Sequence, residues 1–361
     1  MPRRVTLSRV TLRYADKLVL HTASSGAVPE LEELRLVIRQ DGALAGIGAS
    51  RVNIRYLNGL DPEELVTDAV RLCGALRWQC EPAAVLADCD AAAPAAPLRM
   101  LVEMAVRDAE ARIRDVPLAV LLGGELAPTT HTNQTLFWTD DAAMLARAAT
   151  YLARGFSDLK LRVAVGSIAD DHRRLALLRD LAPDATLSAD ANGRWTVEEA
   201  EAFIAGAAPL GLVSIEQPLA PGERARLARL SGPAVILDEE MASDEAVAWL
   251  AATRAAQVAH LKLTKLGGID RVVAAGRQLA DAGVEVMVGQ MNEGVPSTLA
   301  AAHVAMALGA RLRELYGADQ MVGDPCGLLH YDKGKLHVPP GPGLGITEVA
   351  EAGEILWEQT V

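Results

Sequence analysis

The chain has 361 residues, half of them apolar and 23% charged, with a net charge of −12. That composition excludes a disordered chain and suits two domains or a barrel with an addition. Without a long Lys/Arg stripe the acidic balance argues against a nucleic-acid partner, and no run of 18 uncharged apolar residues offers a membrane span.

The N-terminus, MPRRVTLSRVTLRYADKLVL, carries charge throughout and lacks the apolar core of a signal peptide, so a cytoplasmic protein is expected. Cys73, Cys80, Cys89 and Cys326 show no CxxC pairing, which argues against a zinc site or a disulfide framework. Residues 1–55 read as strands: VTLSRVTLRY, LEELRLVIRQ and ALAGIGASRV alternate apolar and polar positions, with Asp41-Gly42 as a turn. From Asp61 the period lengthens to three and four residues. PEELVTDAVRLCGALRW and APLRMLVEMAVRDAEARIRD are predicted helices, stopped by Pro117 and Gly123-Gly124. The first unit is thus α+β over 1–125.

After Thr130 the runs TNQTLFW, DLKLRV, TLSAD, LVSIEQ, AVILDEE, AHLKLTK, VEVMVGQ and RLRELYG alternate with Ala-rich segments of helical pattern. A barrel and a doubly wound sheet share this rhythm, but polar residues close almost every run, and only a barrel gathers all strand ends into one mouth. A barrel is therefore expected over 126–328. The Pro/Gly-punctuated segment 329–361 leaves that rhythm and is expected to pack back on the first unit. No P-loop, GxGxxG, HExxH or GxSxG is present.

Asp190 in LSADANGRW, Glu216 in VSIEQP and Asp238 in VILDEE close three successive runs, spaced by 26 and 22 residues, one β/α unit each. Three carboxylates in one cup repel one another unless a cation neutralises them, which points to a hard divalent ion, Mg²⁺. Read singly, each is more readily a solvated rim residue or a helix cap, and it is the three in register that reverse the balance. Lys160 and Arg162 alternate onto one strand face before the acids, and Lys262 and Thr264 onto one after them, with Lys265 facing away or opening the loop. A lysine inside a barrel strand must be paired or neutral, so Lys262 is either an acid/base group or the partner of Asp238 or Glu239.

LKLRV, SADANGRW, IEQPL, LDEE and HLKLTKLGG, in this order, resemble the enolase superfamily, and the lysine in the sixth run resembles its muconate lactonizing enzyme subgroup. VEMAVRDAEARIRDVPLAVLLGG, GQMNEGVPSTLAAAHVA and PPGPGLGI extend the likeness over most of the chain. The resemblance implies a modified (β/α)7β TIM-like barrel with an N-terminal α+β capping domain completed by the C-terminal segment. It implies Mg²⁺, with Mn²⁺ able to substitute, on Asp190, Glu216 and Asp238. It also implies the superfamily's established mechanism, in which a base removes the α-proton of a carboxylate substrate and the metal stabilises the enediolate. A small-molecule carboxylate and a homo-oligomer, dimer or octamer, are the implied partners.

One departure matters: where the family has Lys-x-Lys, this chain has Lys160-Leu161-Arg162. Arginine is a poor proton acceptor. Lys262 is then the more credible base and Arg162 an electrostatic clamp or, if strongly activated, a second base; Lys160 completes the cationic group. Glu293 matches a glutamate at the seventh strand's end and is a candidate proton donor. Asn192, Gln217, Glu239 and Lys265 are expected to orient the metal carboxylates. Asn133, Thr135 and Phe137 share one alternation toward the pocket, which a one-residue slip would exchange for Gln134 and Trp138. Substrate contacts are also expected from the capping loops 21–26 and 53–58, including Tyr56. The implied function is an isomerase, a cycloisomerase or an epimerase of an amino-acid derivative. A β-eliminating lyase, a non-catalytic carboxylate binder and a Schiff-base aldolase through Lys262 stand as alternatives.

Overall fold

The computed structural model describes residues 2–15, 20–22 and 26–361, leaving out the side chains of residues 20–22, 26, 27 and 56. Arg3–Tyr14 (β1), Leu31–Gln40 (β2) and Ala43–Arg51 (β3) form the expected antiparallel meander. Alternation buries Val5, Leu7, Leu34, Leu36 and Ile38 on the cap side and Ile47 on the barrel side. Asp41 and Gly42 both take positive φ, 51° and 84°, as a tight two-residue hairpin requires.

Pro62–Ala75 (α1) starts where the Asp61 carboxylate accepts from the amides of Glu63 and Glu64. Pro82–Ala91 (α2) and Ala96–Ile113 (α3) follow, and α3 lies directly on β3. Gly46 and Gly48 permit that approach: a Cβ on either would run into the carbonyls of Ala105 and Leu101. Buried Asp108 of α3 accepts from the amides of Ile47 at 3.0 Å and Leu344 at 2.7 Å, which ties the PGPGLGI segment to the cap.

Gln134–Leu136 (β4), Asp158–Arg162 (β5), Thr186–Asp190 (β6), Leu212–Glu216 (β7), Ala234–Leu237 (β8), Val258–Lys262 (β9), Glu285–Gly289 (β10) and Leu312–Glu314 (β11) make one parallel eight-stranded sheet in chain order. Its edges meet where the Asn133 amide donates to the Arg313 carbonyl at 3.3 Å. Asp141–Ala153 (α4), Ile168–Leu181 (α5), Val197–Ala207 (α6), Asp244–Thr253 (α7), Ile269–Asp281 (α8) and Val295–Ala307 (α9) lie between the strands. Between β7 and β8 the connection is a 3-10 segment, Arg224–Arg229, because Pro218, Pro221 and Gly222 interrupt any longer helix. The architecture is the modified (β/α)7β barrel with an α+β cap.

Glu354–Thr360 (β12) returns antiparallel to β1, and Met321–Val322 pairs the far end of β1. The terminal segment expected against the cap therefore divides. Its beginning, the hairpin of Tyr331–Asp332 and Lys335–His337, joins instead through Lys335–His337 to Thr129–His131 on the strand leading into β4. Among the described residues, no helix is long and apolar enough to cross a membrane.

Candidate active site at the barrel mouth

Register brings the acids together. Asp190 and Glu216 are direct partners across β6 and β7, and Asp238 follows the last residue of β8. Their exposures of 0%, 1% and 4% put three carboxylates out of water side by side. Asn192 and Gln217, just beyond the strand ends, take φ of 47° and 37°, a costly left-handed bend that turns the chain away while the acids stay in the mouth.

Four cations face these acids. Lys160 Nζ lies 3.2 Å from Glu216 and 3.4 Å from Asp190 and pairs with Glu314 as well. Burial alone would lower its pKa, but Glu216, Glu314 and Asp190 raise it well above the usual lysine value. Arg162 pairs with Asp190 and donates to Asn192 Oδ1 at 2.7 Å; against burial, Asp190 and its neighbours raise it too, so it stays a cation. Lys262 Nζ donates to Asp238 at 2.6 Å, and Asp238 raises it despite burial.

Lys265 departs from strict alternation. The strand stops at Lys262 and Leu263–Leu266 makes a helical turn, so Lys265 swings back onto Asp238 Oδ1 at 2.5 Å and onto the Asp238 and His260 carbonyls, while Thr264 does not share the face of Lys262. Burial lowers the Lys265 pKa. Lys262 lines the mouth cavity of about 440 Å³ and Lys265 does not.

The remaining expected residues divide. Asn192 donates its amide to Asp190 at 2.9 Å and its side chain to Glu239 at 3.0 Å, and both line the mouth. Burial beside Asp238 and Asp190 pushes the Glu239 carboxyl up to about 7. Gln217 supports backbone rather than carboxylate: its Oε1 accepts from the amides of Asp238 at 3.0 Å and Glu240 at 3.2 Å. Asn133 is drawn below the mouth by Glu314, to which it donates at 3.1 Å, and neither it nor Thr135 lines the cavity. Phe137 does share their face, since Arg162 stacks over its ring and Tyr316 meets it edge-on. Glu293 turns under the cap, accepting from the Met291 amide at 3.0 Å beside Glu33 and Arg51; burial and Glu33 push it up to about 7. Leu57 of the 53–58 loop lines the mouth. The Tyr56 side chain and most of loop 21–26 lie outside the described residues.

Three groups escape sequence reasoning. His260 lies two residues before Lys262 on the same face, fully buried, with Nδ1 3.1 Å from Glu216, and alternation alone would have found it. Glu314 ends the weakest run yet anchors Lys160. The third is the cap itself: Arg51 donates to the Met291 carbonyl at 2.6 Å and Glu33 accepts from the Gly294 amide at 2.6 Å, fixing the loop after β10.

Asp190, Glu216 and Asp238 fit a hard divalent ion: all three are buried oxygen donors from adjacent strands, and His260 orients one of them. Ligand atoms of Glu216, Asp238 and His260 already lie within 4.8 Å of one another, while one oxygen of Asp190 is engaged by Arg162 and Lys160.

A family profile described as enolase C-terminal domain-like matches residues 143–352. The chain belongs to the enolase superfamily. Muconate cycloisomerase 1 of Pseudomonas putida is 33% identical over 258 residues, 68% of each chain. L-Ala-D/L-Glu epimerase of Bacillus subtilis (strain 168) is 32% identical over 257 residues, 69% of this chain and 70% of that one. A substrate-liganded structure of the Bacillus subtilis epimerase matches with a TM-score of 0.87 and 27% identity over 96% of this chain and 99% of that one. With these relatives, this superfamily member stands in the muconate lactonizing enzyme subgroup and is an isomerase.

Proposed function

We propose that the enzyme isomerises a small carboxylate by removing its α-proton, with Lys262 as the base. The observation that carries the reading is the ring of Lys160, Arg162, Lys262 and Lys265 around three buried acids, with Lys262 on the open side. A proton beside a carboxylate is very weakly acidic, so its removal needs concentrated positive charge where the second negative charge develops. Asp190, Glu216 and Asp238 would hold Mg²⁺, or Mn²⁺ in its place, which when bound supplies most of that charge at the substrate carboxylate. With Asp238 turned to the ion, Lys262 would lose the partner that holds it protonated, so its neutral amine takes the proton at Nζ and the ammonium so formed returns it at the rearranged carbon. Arg162, held by Asp190 and Asn192, stays protonated and orients the substrate anion, so the proposed chemistry uses one base. The cavity admits a small acid, and the names of the relatives point to muconate-like diacids and dipeptides as the first substrates to try.

Proton NMR in D₂O with Mg²⁺, over muconate analogues, dipeptides, N-acyl amino acids, proline derivatives and hydroxy acids, tests this. Cyclisation or α-proton exchange that needs both Mg²⁺ and Lys262 supports it. Inversion of configuration would make Arg162 a second base and overturn the clamp. Turnover that survives EDTA or Lys262→Ala would overturn the whole reading.

A further inference from the structure

Away from the mouth, metal-ligating side chains converge at one more place among the described residues, the small sheet of Thr129–His131, Tyr331–Asp332 and Lys335–His337. We propose that His330, Asp332 and His337 bind a divalent transition-metal ion of the Zn²⁺ class. Ligand atoms of the three lie within 4.8 Å of one another.

The register explains why they meet. The His337 amide donates to the His330 carbonyl at 2.9 Å, so the two residues sit opposite each other across the hairpin, with ring centroids 4.6 Å apart. Asp332, two residues on from His330, falls on the same face. The opposite face is anchored: Leu336 is fully buried, and the buried Tyr331 hydroxyl donates to the Leu315 carbonyl at 2.7 Å. The platform is therefore rigid, and little chain entropy is lost when an ion binds.

Two imidazoles with one carboxylate suit Zn²⁺, Ni²⁺ or Cu²⁺ and not Mg²⁺. Tetrahedral bonds of about 2.0–2.2 Å hold ligand atoms roughly 3–4 Å apart, within reach of side-chain rotation from the present geometry. Three protein donors leave one position open. Both imidazoles line a cleft of about 1110 Å³, from which water or an anion completes the shell. Lys333, 3.9 Å from Asp332, and Lys335, its cross-strand partner, oppose a cation, but Lys333 is exposed and its repulsion is largely screened. A bound ion would fasten the two hairpin strands together, and with them the C-terminal segment.

The test is calorimetric titration of tag-free protein with Zn²⁺ in excess Mg²⁺, with Co²⁺ absorption as a reporter of imidazole ligation. The expected result is one Zn²⁺ equivalent whose affinity falls by about 100-fold in His330→Ala and in His337→Ala. Asp332→Asn should weaken it less, and Glu216→Gln should leave it unchanged. Zn²⁺ should also raise the melting temperature of the parent enzyme and not of the His330→Ala/His337→Ala double variant. Unchanged stoichiometry and affinity in that double variant, or a loss in Glu216→Gln instead, would overturn the proposal. Melting curves without metal check that the variants fold.

Discussion

Replacing Lys262 by methionine removes the ammonium and keeps a straight aliphatic stem, so no large cavity opens at a position that is 3% exposed. Two ammonium groups sit on Asp238, Lys262 at 2.6 Å and Lys265 at 2.5 Å, so the carboxylate keeps a charged partner in the variant. The folding loss is that of one charge-assisted hydrogen bond, about 1.5–3 kcal/mol. Stranding a buried charge outright would cost about 3–5 kcal/mol. The catalytic loss is larger in proportion: a positioned base contributes about 10²–10⁴-fold, or roughly 3–5 kcal/mol of barrier at about 1.36 kcal/mol per decade. Proton NMR of substrate turnover in D₂O with Mg²⁺, run beside urea unfolding, measures both. Turnover within tenfold of the parent enzyme in a folded Lys262→Met protein would refute the assignment of the base.

Lys265→Met should destabilise more than Lys262→Met, by about 1–3 kcal/mol, because Lys265 donates to the Asp238 and His260 carbonyls as well as to a carboxylate oxygen, whereas Lys262 donates to the carboxylate alone; urea midpoints of the two variants give the order. Mg²⁺ at about 100 times its Kd should stabilise the parent enzyme by about 2.7 kcal/mol and do nothing for Glu216→Gln, as read by scanning calorimetry. The pH response of Glu293 has a definite sign. Burial, with Glu33 beside it, raises its carboxyl from 4.5 to about 7, so the folded state holds the proton more tightly than the unfolded chain. That stabilisation is complete below about pH 4.5 and is lost as pH rises through about 7, roughly 3 kcal/mol in all. Glu293→Gln should therefore gain stability over the parent enzyme by about that amount between about pH 4.5 and about pH 8, and parallel pH profiles of the two proteins would contradict the assignment.

Much of the mouth is legible from local pattern. Side-chain direction in a strand depends only on the backbone at hand, so period-two alternation was enough to put Lys160 beside Arg162 and to bring Asn133 and Phe137 to one face. Acids ending runs one β/α unit apart become neighbours in any barrel, which is why Asp190, Glu216 and Asp238 could be grouped before any contact was known. His260 carried the same alternation signal as Lys262, and its role depended on a partner, Glu216, one strand beyond the neighbouring one. Where that logic stops, tertiary structure takes over. Lys265 reaches Asp238 because the strand yields to a helical turn at Leu263, a boundary no periodicity marks. Glu293 sits under the cap, and Arg51 and Glu33 hold the loop above the mouth, because β2 and β3 dock on the barrel from some 240 residues away in the chain. The sequence by itself determined the elements and the face each side chain takes, since both follow from local sterics and burial. Only the packing of whole elements decided which distant charges meet, because those pairings answer to the shape of the assembled core and to no pattern within a single segment.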